Sequence, residues 1–114
     1  MDLFISDKKL RRAFEKRALE QRYGTEMARK INLRLNALRA AASLADFWPP
    51  YSGPERCHEL KQNLSGIFSF DLKYPYRLLF KPTNEVPHQD NPDEHQRWEL
   101  ITAVELLAIE DTHE

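Results

Sequence analysis

The feature that most constrains this chain is a change of hydrophobic period near residue 57. Before it, Met27, Ile31, Leu35, Leu38 and Ala42 recur at steps of four, four, three and four, which places them on one face of a helix. After it the apolar residues alternate. Phe68, Phe70 and Leu72 are interleaved with Ser69 and Asp71, and Tyr76, Leu78 and Phe80 with Arg77, Leu79 and Lys81. Period two belongs to strands, and neither pattern can be buried by the other type of element. Helices grouped ahead of a mostly antiparallel sheet predict an α+β domain.

Local signals place the elements. Leu3, Phe4 and Ile5 read as a short edge or central strand. Ser6 and Asp7 offer cap oxygens to a charged helix whose apolar positions are Leu10, Phe14 and Leu19. Gly24 ends that helix and Thr25 can cap the next, whose opposite side carries Arg29, Lys30, Arg34 and Arg39. Ser43 to Asp46 reads as a small capping turn, and Pro49-Pro50 stops helix formation. Residues around His58 form the first strand of the sheet, and Tyr74-Pro75 turns the next two runs into a hairpin. Val104, Leu106 and Ala108 alternate with Ala103, Glu105, Leu107 and Ile109, so this strand is apolar on both sides and central. Residues 82–97, with three prolines and many polar side chains, read as an exposed, mobile loop.

At 114 residues the chain is one domain, residues 1–114. Its net charge of −1 conceals a gradient: +6 over residues 1–39, +1 over 40–84 and −8 over 85–114. Near-neutrality therefore does not exclude a nucleic-acid partner. The lone Cys57 excludes an intramolecular disulfide, and the N-terminus has neither a signal peptide nor a long apolar run. A cytoplasmic protein without a membrane segment is expected.

Candidates for chemistry are few. Three glycines, at 24, 53 and 66, cannot build a phosphate-binding glycine loop. Cys57 and His58 lack the second pair of a zinc signature, and His88, Asp90, Asp93, Glu94 and His95 read as a solvated acidic loop, so no metal and no cofactor are expected. There remain His58, Lys61, Arg77, Asp111 and His113. His58 shares parity with Leu60 and is either a cleft histidine or one satisfied by a hydrogen bond. Arg77, inside an apolar strand, needs an anion: Asp71 or Glu59 across the sheet, or a substrate. His113 alone would be an ordinary terminal residue. Histidine, lysine and arginine gathered on one small sheet suit metal-independent phosphodiester cleavage. A base removes the ribose 2′-proton, guanidinium stabilises the pentavalent phosphorane, and an acid protonates the 5′-oxygen.

At these residues the chain resembles the RelE/HigB group of type II toxin–antitoxin toxins, closest to the plasmid maintenance killer proteins, some of which are labelled killer suppression proteins. The resemblance runs through Tyr23-Gly24, Leu38 to Leu44, Arg56-Cys57-His58-Glu59-Leu60, Gly66 to Leu72, Pro75 to Phe80, Thr102-Ala103-Val104 and Glu110-Asp111-Thr112-His113. It implies a RelE-like, microbial-RNase-type fold, with two N-terminal helices packed on a mainly antiparallel twisted sheet. It implies a ribosome-dependent mRNA endoribonuclease (an mRNA interferase). Arg77 would stabilise the transition state, His113 with Asp111 would take the C-terminal catalytic position, and His58 would complete the acid–base pair. Lys61 would hold a neighbouring phosphate, and the basic helix face, with Lys30 and Arg34, would bind RNA. The implied partners are the ribosome with its mRNA and a helix-turn-helix antitoxin, with operator DNA bound only through the antitoxin. Two alternatives remain beside it: a ParE-like gyrase poison, and a non-catalytic interaction module of the same fold. The second is favoured by the acidic final third and by Thr112, where many members carry a tyrosine that can stack.

Overall fold

The computed structural model describes residues 1–61, 64, 66–84 and 93–111. The Asp7 side chain accepts from the Leu10 backbone N–H at 3.0 Å and opens helix α1 (Lys8–Ala13). The charged segment is not one continuous helix. It breaks at Phe14 and Glu15 before α2 (Lys16–Ala40) begins. Helix α2 is itself kinked at Gly24, whose φ of 84° and ψ of 165° are non-helical and suit a residue without Cβ. The break expected at Gly24 is thus present as a kink. Ser43 caps a 3-10 turn at Leu44–Phe47, its Oγ accepting from Ala45 N at 3.2 Å.

The strands are β1 (Asp2–Phe4), β2 (His58–Glu59), β3 (Phe68–Asp71), β4 (Tyr76–Pro82) and β5 (Ala103–Asp111). They form one sheet in the order β1-β5-β4-β3-β2. β1 lies parallel to β5 at an edge, and the other pairs are antiparallel. The β3–β4 hairpin is present in the register Phe68↔Phe80 to Asp71↔Arg77. β5 is central, as its two apolar sides require. Its alternation is not strict: between Leu79 and Phe80 the register shifts from Ala108 to Leu106. This bulge places Ile109, rather than Ala108, on the core side with Leu106 and Val104.

One face of the sheet meets the helices. Phe68, Phe70, Leu78, Phe80, Val104 and Leu106 pack with Leu19, Met27, Ile31, Leu35 and Leu38, each fully buried side chain contributing about 1.5–3 kcal/mol. The loop reading of residues 82–97 is corrected at both ends. Asn84 Oδ1 accepts from Thr102 N and Ala103 N, each at 3.2 Å, and a third helix, α3 (Glu94–Glu99), follows the capping Asp93. α3 exists because it delivers Trp98 into the core, edge-on to Trp48 and Phe68. Its Arg97 pairs with Glu59 of β2, whose Oε2 also accepts from Gly66 N at 2.8 Å. Residues 85–92 of the expected loop lie outside the described residues. Among the described residues no helix is long and apolar enough to cross a membrane.

Candidate functional site

The second face of the sheet follows from the register. His58 stands opposite Ser69, Ser69 opposite Leu79, Asp71 opposite Arg77, and Arg77 opposite Glu110. Directly opposed residues share a face, as do alternate residues along a strand. His58, Ser69, Asp71, Arg77 and Glu110 therefore lie together on the side away from the helices.

Asp71 organises this face. Its carboxylate lies 3.2 Å from Arg56 Nε and 4.0 Å from Arg77 Nε, one oxygen to each arginine. Its carbonyl accepts from Arg34 Nε at 2.9 Å, and its N–H donates to Glu55 O at 2.7 Å. Of the two anions expected for Arg77, Asp71 is the one beside it, while Glu59 is turned to Arg97 on the core side.

His58 is 7 % exposed. Its Nδ1 lies 2.9 Å from Arg56 O, and because a carbonyl can only accept, Nδ1 carries the proton. Nε2 is then the nitrogen with the lone pair in the neutral ring. The ring stacks on Tyr51, centroids 4.2 Å apart and planes 17° from parallel. The guanidinium of Arg56 lies 5.2 Å from the same tyrosine ring, a cation–π contact. Both residues that frame the histidine sit in the left-handed region, Tyr51 at φ 66° and Arg56 at φ 46°, a conformation that costs free energy for side chains of this kind. The loop is held by Tyr51 N donating to Cys57 O at 3.0 Å and Arg56 N donating to Ser52 O at 3.1 Å. Next to His58, burial and then the nearby Glu55 charge push the Cys57 thiol well above its ordinary range, so it is an inert core residue. Ser69 Oγ is buried and has no hydrogen-bond partner among the described residues, a costly arrangement that is uncommon in folded chains.

The remaining expected site residues are dispersed. Lys61 is exposed just after β2, and Lys30 is half-buried on α2. Arg34 departs from the basic outer face assigned to it. It is only 9 % exposed, with its guanidinium donating to the carbonyls of Asp71 and of Pro54, the latter at 3.3 Å. Asp111 is in register with Tyr76, so Glu110 rather than Asp111 stands opposite Arg77. His113 lies outside the described residues. Among the described residues no three His, Cys, Asp or Glu side chains gather as a metal ion would need. Sequence reasoning missed Tyr51 and Arg56, because only the backbone turn at these two residues brings them to His58.

A scan of protein-family models finds no match, and no curated protein matches the chain. Solved structures do match. A YoeB/ParE toxin from Agrobacterium tumefaciens superposes with a TM-score of 0.56 at 19% identity, over 99% of this chain and 100% of that one. The YoeB-YefM complex from Staphylococcus aureus gives 0.51 at 20% identity, covering 96% and 94%. Element order, sheet and helical layer together give this chain the fold of the YoeB/ParE-type toxins.

Proposed function

We propose that the chain is the toxin of a type II toxin–antitoxin pair and acts as a ribosome-dependent endoribonuclease on mRNA. The observation that carries this reading is the placement of Arg77 and His58 on one sheet face of a fold shared end to end with a toxin. In the proposed reaction His58 Nε2 removes the 2′-OH proton as the 2′-oxygen attacks phosphorus. Arg77 stabilises the charge on the equatorial oxygens. The bond from phosphorus to the 5′-oxygen breaks, and His113 supplies that oxygen's proton. The products are a 2′,3′-cyclic phosphate and a 5′-hydroxyl. Lys61 and Lys30 would steer the RNA, joined by a shallow groove of about 390 Å³ between α1 and α2 that Lys9, Arg12 and Arg22 line. The S. aureus neighbour is a YoeB-YefM complex, which supports an antitoxin as the partner here too. A helix-turn-helix antitoxin would bring operator DNA only indirectly, and the cytoplasm is the compartment this activity requires.

Inducible expression tests the reading. The wild type should arrest growth and cut translated messages, and Arg77→Ala should lower cleavage by roughly 10²–10³-fold. If the double variant Arg77→Ala/His113→Ala stays fully toxic, the assignment is wrong. A second reading, a gyrase poison, is supported by the double description of the Agrobacterium neighbour as YoeB/ParE. It predicts a DNA-damage response with intact messages.

A further inference from the structure

The two arginines beside Asp71 carry a further consequence, which rests on the reading of this face as an RNA site. Arg56 Nε and Arg77 Nε approach different oxygens of one carboxylate, at 3.2 and 4.0 Å. A phosphodiester also offers two non-bridging oxygens from one centre and carries one negative charge, so it matches what these guanidinium groups already flank. Arg56 reaches the face from the strained loop before β2, and Arg77 from the middle of the sheet. The same loop residue holds His58 through its carbonyl. All three polar groups, Arg56, Asp71 and Arg77, keep about a third or more of their side-chain surface exposed, so the cluster is open to an incoming anion.

We propose that Arg56 and Arg77 form a two-guanidinium clamp for one phosphodiester of a single-stranded RNA, with the Asp71 carboxylate occupying the phosphate position until RNA displaces it. Arg56 is thereby a substrate-binding residue, and Asp71 is an internal competitor that weakens RNA binding. Because the Asp71 carbonyl and N–H are held by Arg34 and Glu55, only its side chain needs to swing aside. The displaced carboxylate passes into water and leaves the arginines to the ligand.

The test measures binding of the full-length protein to a 2′-O-methyl single-stranded oligonucleotide, which cannot undergo 2′-OH attack, by fluorescence anisotropy from low to moderate salt. Arg56→Ala should weaken binding about tenfold, and should flatten the salt slope by about 0.7, one phosphate contact on a single strand. Arg56→Lys should fall between, because ammonium cannot fork. Asp71→Asn should tighten binding about two- to tenfold, as removal of a partly exposed competing charge allows. Asp71→Ser should move in the same direction, and thermal melts report whether either variant is misfolded. Unchanged affinity in Arg56→Ala overturns the clamp. Weaker binding in folded Asp71→Asn and Asp71→Ser also overturns it, because Asp71 would then orient Arg77 rather than compete. A wild type without saturable binding at low salt overturns it as well. If the oligonucleotide results hold while the wild type neither arrests growth nor cuts messages, the clamp stands and the endoribonuclease reading fails.

Discussion

Replacing Arg34 with Met separates a structural cation from an RNA-binding one. Arg34 sits on the core side of α2, and its guanidinium donates to Asp71 O at 2.9 Å and Pro54 O at 3.3 Å. Methionine keeps most of the apolar stem and removes both donors. Hydrogen bonds to a charged donor are worth about 1.5–3 kcal/mol each, and the longer one belongs at the low end. Against this, the variant no longer desolvates a guanidinium, which offsets part of the loss. A net cost of about 2–3 kcal/mol follows. For 114 residues the unfolding entropy is about 0.24 kcal/mol/K, so Tm should fall by roughly 8–12 °C. Urea unfolding followed by circular dichroism would give the same quantity as a lower midpoint at constant slope. RNA affinity of the folded variant, measured at low temperature, should change far less than in Arg56→Ala. A stability loss below about 0.5 kcal/mol, together with weaker RNA binding, would refute the argument and return Arg34 to the RNA-binding surface.

Two further outcomes are expected. Gly24→Ala should destabilise the fold by about 1–3 kcal/mol through its backbone alone, since a Cβ there meets nothing among the described residues within 4 Å while φ is +84°; a rise in Tm would mean that α2 straightens and tolerates it. The raised thiol of Cys57 stabilises the fold fully below the unfolded thiol's ordinary value of about 9 and loses that contribution as pH rises. Unfolding free energy should therefore fall by about 1.4 kcal/mol per pH unit above that point through this group. Denaturant midpoints of wild type and Cys57→Ala across pH 8 to 10.5 check this, and parallel pH profiles would contradict it.

Much of the fold was legible because burial is periodic. The apolar face of α2, the β3–β4 hairpin and the central position of β5 each follow from spacing that only one element type can bury. Helix α3 was not legible by period, since six polar-rich residues with one buried Trp98 show none. Its signal was the cap, Asp93 three residues ahead of Gln96, whose N–H its carboxylate accepts at 3.1 Å. The bulge at Leu79/Phe80 was equally hidden, because one extra residue leaves composition unchanged while it reverses the side that Ala108 and the strand residues after it face. At the site, His58 and Arg77 stood out as polar groups in apolar strands. Tyr51 and Arg56 did not, because their role comes from left-handed backbone rather than from side-chain pattern. Arg34 was misplaced for a related reason: helical spacing gives its direction to within a turn, but not whether a carbonyl waits beneath it.

The central place of β5 governs when the molecule can come into being. Among the described strands β5 comes last in chain order, yet it fills the slot between β1, about a hundred residues earlier, and β4. Contacts this distant in sequence form late, because the loop they close is long. While the nascent chain lacks residues 103–111, β1 has no strand to pair with and Arg77 lacks its neighbour Glu110. The β3–β4 hairpin can form earlier, but the sheet that supports Arg77 and His58 cannot close. The face that carries Arg77 and His58 would thus take shape only once residues 103–111 are available to bridge β1 and β4.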